Sequence, residues 1–88
     1  MAGRWRLVSA GGQACNMTFT AASGDLQGAV APEGGCPGKF FTTRHWNFDH
    51  DTLRLLDHKN EPLVELKRNS AGRFEGEAAN NGLVWLEQ

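Results

Sequence analysis

Two cysteines, Cys15 and Cys36, are the residues whose chemistry most constrains this chain. With no third cysteine in the sequence, the simplest arrangement is a disulfide between them; two free buried thiols are the alternative, and a metal site would need further ligands at suitable spacing. A disulfide closing a loop of this length stabilises the folded state by about 3 kcal/mol. It would also indicate an oxidising compartment, namely the periplasm, a cell surface or the extracellular space.

The other chemically capable side chains are histidines and aspartates between residues 45 and 58. His50 stands between Asp49 and Asp51 and could hold a metal ion weakly, but aspartates favour turns, so the segment is better interpreted as a solvated turn. The serines have no histidine partner that the sequence can assign, and the glycine pairs do not introduce a helix as a phosphate loop would. We therefore predict no catalytic site, no metal and no cofactor, and a protein that is not an enzyme.

Cys15 must be positioned by a β-strand over residues 14–20. Cys15, Met17 and Phe19 alternate there with Asn16, Thr18 and Thr20, as in a strand that buries one face. Similar short runs are separated by turn signals such as Asn80-Asn81-Gly82 and by many of the eleven glycines. These runs cover residues 5–9, 26–31, 46–48, 52–56, 62–68, 73–78 and 83–86.

Eight short strands joined by hairpin turns predict an all-β fold, an eight-stranded antiparallel up-and-down barrel. A barrel of this size is just wide enough to be filled by its own side chains. The residues expected to fill it are aromatic: Trp5, Phe19, Trp46, Phe48 and Phe74. Smaller inward residues are expected beside them: Leu26, Val30, Gly76 and Ala78.

Two aromatic positions are expected near or on the surface. Because Phe40 and Phe41 are adjacent, one should be buried and the other should lie at a rim. Trp85 falls opposite the inward positions Val84 and Leu86, so we predict that it is partly exposed.

Length and charge narrow the possible functions. Eighty-eight residues make one domain, and a net charge of −1 gives no reason to expect nucleic acid. No apolar stretch approaches the roughly 18 residues of a membrane span, and no signal-peptide hydrophobic region is present.

If the protein is exported, residues 1–88 should be a mature form or a fragment that lacks its export signal and tail. Such a protein would contact a membrane only through an upstream anchor. We expect a monomer.

Several short motifs occur along the chain in a recognisable order. They are Ala2-Gly3-Arg4-Trp5, Gly12-Gln13-Ala14-Cys15, Cys36-Pro37-Gly38, Trp46, Leu53-Arg54-Leu55-Leu56-Asp57, Gly72-Arg73-Phe74-Glu75-Gly76 and Leu83-Val84-Trp85-Leu86. Together they resemble the AprI/Inh family of bacterial alkaline metalloprotease inhibitors, and particularly the branch found as the C-terminal domain of outer-membrane lipoproteins. The resemblance covers essentially the whole chain.

The resemblance implies a lipocalin-like barrel with one disulfide, located in the periplasm or at the outer membrane or cell surface. It also implies inhibition of serralysin-type zinc proteases by an N-terminal trunk that enters the active-site cleft, while loops of the barrel rest on the surface of the enzyme. Ala2, Gly3, Arg4 and Trp5 would then form the base of the inhibitory arm. The chain departs from the family pattern here, because only three residues precede Arg4 and these extend about 10 Å.

Two other functions are compatible with the same sequence. A small-ligand carrier would use an apolar cavity at the barrel mouth. A non-inhibitory interaction module of a lipoprotein would present exposed aromatics, with Phe41 and Trp85 as the candidates.

Overall fold

The computed structural model describes residues 2–21, 26–36, 38–70, 72–78 and 82–88. The strands are β1 (Gly3–Ser9), β2 (Ala14–Ala21), β3 (Gln27–Pro32), β4 (Thr43–Asp49), β5 (Thr52–Asp57), β6 (Pro62–Arg68), β7 (Phe74–Ala78) and β8 (Gly82–Glu87), with a 3₁₀ turn at Phe40–Thr42. Two residues of the turn predicted at Asn80-Asn81-Gly82 lie outside the described ranges. Met1 and Pro37, which belong to other predicted features, also lie outside them. No helix in the described ranges is long and apolar enough to cross a bilayer.

The eight strands form a closed barrel in which each strand pairs with its neighbours in the sequence. All the pairings are antiparallel, and β8 returns to pair with β1, where Leu86 lies opposite Leu7. Because the first and last strands pair, the sheet has no open edge. The predicted up-and-down barrel is therefore confirmed.

The inward face of each strand supplies the core, as the period-2 patterns predict. Trp5, Phe19, Trp46 and Phe74 are buried, and Phe48 is partly buried against the same cluster. Three edge-to-face aromatic pairs lie within this core, with ring centroids 5.6 Å apart for Trp5–Phe74 and 6.2 Å apart for both Phe19–Trp46 and Phe48–Phe74. The barrel interior is thus occupied by its own side chains.

One inward prediction is wrong. Leu26 was expected to face the core with Val30, but Leu26 is 60% exposed to solvent. Strand β3 begins one residue later, at Gln27, so Leu26 lies at the rim of the barrel. Its carbonyl oxygen still accepts a hydrogen bond from the Phe48 N–H, at 2.8 Å.

The predicted disulfide between Cys15 and Cys36 is present, with Cα atoms 4.9 Å apart. It ties the long β3–β4 connection to β2. Strand β2 pairs with the edge of β3 opposite the one that pairs with β4. Both cysteines are buried within the core cluster. The bond therefore fixes a connection that, in its described residues, has few backbone hydrogen bonds of its own.

A glycine allows β3 to approach its neighbours closely. A Cβ atom on Gly28 would overlap the Thr20 carbonyl oxygen and would come within 2.8 Å of the Trp46 Nε1 atom. Trp46 Nε1 donates a hydrogen bond to that same oxygen, at 3.0 Å. Gly28 thus leaves the space through which the Trp46 indole reaches β2.

The β5–β6 hairpin shows how a turn residue is stabilised. The Asp57 carboxylate accepts hydrogen bonds from the Lys59 N–H at 2.8 Å and the Glu61 N–H at 3.0 Å. The bond from Glu61 is the largest cause of a lowered pKa for Asp57, because both donors favour the charged carboxylate. Asn60 completes the turn with a φ of 63°.

Candidate functional site

The start of β1 carries the predicted arm base, and its first two described residues are exposed. Ala2 and Gly3 both lie at the surface, and Gly3 pairs with Phe19 on β2. Gly3 has a φ of 114°, which a residue with a side chain adopts only under strain. A residue with a side chain at this position would therefore strain the start of β1.

Arg4 points outward and reaches across β2 to the end of β3. Its Nε atom donates to Glu33 Oε2 at 2.9 Å and its Nη2 atom donates to Glu33 Oε1 at 3.1 Å. Both side chains are about half exposed, so this pair contributes little to the free energy of folding. Its two parallel bonds nevertheless fix the direction of the Arg4 side chain.

Trp5 points inward, with 8% of its surface exposed. It packs against Phe74, and its indole Nε1 is buried with no hydrogen-bond partner among the described residues. Of the four predicted site residues, Ala2, Gly3 and Arg4 are thus grouped on the surface. Trp5 supports them from below.

The long β3–β4 connection forms a groove that the sequence did not reveal. It has a volume of about 310 Å³, and we call it the Phe41 groove. The adjacent phenylalanines behave as predicted: Phe40 is 2% exposed and Phe41 is 58% exposed. The groove is lined by Val30, Ala31, Pro32, Glu33, Gly34, Cys36, Phe41 and Arg44.

Side-chain hydrogen bonds to backbone carbonyls hold the 3₁₀ turn beside this groove. The buried Thr43 hydroxyl donates to the Phe40 carbonyl at 2.7 Å, and the Thr42 hydroxyl donates to the Lys39 carbonyl at 2.6 Å. Arg44 Nη1 donates to the Phe41 carbonyl at 3.0 Å. Phe41 therefore projects from a turn whose backbone is fixed.

The second surface aromatic, Trp85, is half buried, as predicted. The Arg73 guanidinium lies over its ring, 5.4 Å from the centroid, and the Trp85 Nε1 atom donates to Glu87 Oε1 at 2.7 Å. One face of its ring and its indole N–H therefore already have partners within the barrel. This leaves Phe41 as the more available of the two candidate contact aromatics.

The histidine–aspartate segment forms a hairpin turn, as predicted. His50 and Asp51 have φ angles of 51° and 61°, and two positive φ angles are what a type I′ turn between β4 and β5 requires. His50 Nδ1 lies 2.9 Å from Asp49 Oδ1, and both side chains are exposed. Within the described ranges, no three His, Cys, Asp or Glu side chains gather to form a metal site.

Comparisons with known proteins agree with this architecture. The family model described as protease inhibitor Inh matches residues 1–88. A solved structure, described as the crystal structure of a psychrophilic marine protease MP inhibitor, is 20% identical with a TM-score of 0.66, over 99% of this chain and 92% of that one. At that identity it supports the fold alone, and no curated protein matches. Because the family model spans the whole chain, the chain belongs to the protease inhibitor Inh family and is an inhibitor rather than an enzyme.

Proposed function

We propose that the protein inhibits a secreted zinc metalloprotease by placing the segment ahead of β1 in the active-site cleft, while loops of the barrel rest on the surface of the enzyme. The observation that carries this proposal is the exposed Ala2–Gly3 segment, which joins the barrel beside an Arg4 side chain held by Glu33. An extended segment can enter a cleft that excludes a barrel. Its backbone can also form hydrogen bonds there as a bound peptide does.

The barrel supports such an arm because it is rigid. A closed sheet with a filled interior and one disulfide loses little conformational freedom on docking, so more of the interaction free energy is available for affinity. A small-ligand carrier would need the interior space that Phe19, Trp46 and their neighbours fill. The filled core therefore favours the inhibitor over the carrier.

The cellular location is part of the same proposal. A disulfide is stable in oxidising compartments, and secreted zinc proteases are met there, so we place the inhibitor in the periplasm or at the outer membrane or cell surface. The small net charge gives no electrostatic attraction to nucleic acid or to an anionic membrane. We propose that a monomer binds one protease.

The decisive experiment compares forms of the protein that differ only ahead of Arg4. One form contains residues 1–88, a second adds any residues that the gene encodes ahead of Met1, and a third begins at Arg4. Each is titrated against a serralysin-type zinc protease, a serine protease and a cysteine protease, with far-UV circular dichroism as the folding control. We expect inhibition of the zinc protease only, strongest for the longest form and lost in the shortest.

Two results would contradict the proposal. Equal inhibition by the form that begins at Arg4 would place the inhibitory site on the barrel rather than on the arm. Failure of every form to inhibit any of the three proteases would instead favour an interaction module.

A further inference from the structure

We infer that Gly3 is a positioning residue for inhibition. Its backbone conformation directs the residues ahead of β1, which we call the arm, away from the barrel wall and so leaves them free to enter a protease cleft. This inference rests on the proposed function and adds to it the residue that sets the direction of the arm. Gly3 acts through the arm and needs no contact with the protease.

The first argument is the positive φ of Gly3, which no hairpin turn explains. Gly3 begins a strand and pairs with Phe19, yet its φ is 114°. A residue with a side chain rarely adopts such a conformation. Because no hairpin ends at Gly3, the conformation affects only the residues ahead of β1. The other described glycines with positive φ lie in, or at the end of, connections between strands: Gly12, Gly35, Gly38, Gly72 and Gly82.

Lack of space does not explain the glycine either. At Gly28, an added Cβ atom would overlap the Thr20 carbonyl oxygen. A Cβ atom on Gly3 would instead lie 3.5 Å from the Gln88 Nε2 atom, which is ordinary contact with the end of a flexible side chain. Position 3 therefore has room for a methyl group, and glycine supplies only the backbone conformation there.

This conformation separates the arm from the sheet. An antiparallel strand has a φ of about −140°, which is roughly 100° of rotation away from that of Gly3. With the regular value, Ala2 would continue beside Thr20, because Gly3 pairs with Phe19. Strand β2 does continue to Ala21, but Ala2 is not paired with it. The backbone of Ala2 therefore stays available for the hydrogen bonds that a bound peptide makes in a cleft.

An L-residue at position 3 should return the arm to the barrel wall. L-alanine favours negative φ, so Ala2 and the residues ahead of it would lie along Thr20 and Ala21 as an extension of the sheet. Binding to a protease would then have to break that pairing or strain position 3. Inhibition should weaken although the barrel stays folded.

The test varies the chirality at position 3. Native chemical ligation at Cys15 joins a synthetic segment that ends at Ala14 to residues 15–88, with glycine, L-alanine or D-alanine at position 3. Each protein carries the same residues ahead of Gly3 as the strongest inhibitory form. D-alanine adds the same methyl group as L-alanine but favours positive φ.

Inhibition constants are measured against a serralysin-type zinc protease. Gly3→Ala should raise the constant at least about tenfold, the factor that corresponds to the strain of such a backbone conformation. The protein with D-alanine should stay within about threefold of the glycine protein, because its backbone keeps the direction of the arm.

Gly12→Ala is the matched control. Gly12 also has a positive φ, 88°, with no atom within 4 Å of its Cβ position, but it lies beyond the other end of β1. Alanine there introduces a similar backbone strain away from the arm. It should lower the melting temperature while changing the inhibition constant less than about twofold.

Proton NMR follows the arm without a protease. Contacts between the backbone protons of Ala2 and Thr20 should appear in Gly3→Ala and be absent from the glycine and D-alanine proteins. These contacts report pairing of the arm with β2, whatever the affinity for the enzyme.

Three results would overturn the inference while the proposed function stands. The first is equal inhibition by Gly3→Ala and the glycine protein. The second is equal loss with L-alanine and D-alanine, because the methyl group rather than the backbone direction would then be responsible. The third is absence of the NMR contacts from Gly3→Ala. If the glycine protein itself inhibits no protease, the proposed function fails and this inference fails with it.

Discussion

Replacing Gly28 with alanine tests the packing between β2, β3 and β4. The new methyl group would overlap the Thr20 carbonyl oxygen and would crowd the Trp46 Nε1 atom at 2.8 Å. Either β3 moves away from β2 or the Trp46 indole rotates, and both movements disturb the 3.0 Å hydrogen bond from Trp46 to Thr20. The substitution should therefore destabilise the barrel although it adds only one carbon atom.

The magnitude follows from two contributions. Overpacking a well-filled site costs about 1 to 3 kcal/mol. Leaving the indole N–H without its acceptor costs about a further 1 to 3 kcal/mol. We therefore expect Gly28→Ala to lower the free energy of unfolding by about 2 to 6 kcal/mol, a large part of the total for a small domain.

Urea unfolding followed by tryptophan fluorescence and circular dichroism measures this change. Gly34→Ala is the matched control, because no atom lies within 4 Å of its Cβ position and its φ is not positive. It should change the free energy of unfolding by less than about 1 kcal/mol, or raise it slightly. A Trp46→Phe background removes the hydrogen-bond part of the cost, so Gly28→Ala should be less damaging there.

A result of less than about 0.5 kcal/mol for Gly28→Ala, in the presence of Trp46, would refute this reasoning. It would mean that β2 and β3 separate freely at this point, or that the indole is not held by the Thr20 carbonyl.

Two further predictions concern the disulfide and the β5–β6 turn. The Cys15→Ala/Cys36→Ala double variant should lose about 3 kcal/mol of unfolding free energy, and a reductant should destabilise the parent but not the variant in the same urea titration. Because the pKa of Asp57 is lower in the folded state than the ordinary 3.8, its contribution is complete well above pH 3.8 and is lost as the pH falls through the folded-state value. The stability difference between the parent and Asp57→Asn should therefore shrink in acid; a difference that stays constant from pH 7 to pH 2.5 would contradict this cause.

The sequence predicted most strands well because half-buried strands carry a period-2 pattern. Residues 62–68 were predicted as a strand, and β6 is Pro62–Arg68. The same pattern placed Cys15 on an inward face, and a single disulfide was the simplest pairing because the chain has only two cysteines. Local alternation is enough for these features, since each requires only the strand itself.

The first half of β4 was missed, since only residues 46–48 showed alternation. The pairing of β4 with β5 shifts register between Thr43 and His45, which indicates a bulge or irregularity there. An extra residue at a bulge reverses the inward and outward order, so a period-2 pattern cannot continue through it.

The sequence could not predict the Phe41 groove or the Arg4–Glu33 contact, for a different reason. Those two residues are 29 positions apart, and the strand between them sets the distance that their side chains span. The adjacency of Phe40 and Phe41 indicated one exposed ring but did not say which. The side chain that became buried depends on a 3₁₀ turn fixed by the Thr43 hydroxyl.

The pairing of β1 with β8 also determines the order in which the barrel can assemble. Every other strand pairs with the strand next to it in the sequence, so those hairpins can form from local contacts. Leu7 and Leu86 instead meet across nearly the whole chain, and closing so long a loop carries the largest entropic barrier. On the ribosome, β1 must therefore wait without this partner until the last strand has been synthesised. During that interval, β1 presents an unpaired edge that can pair with another molecule.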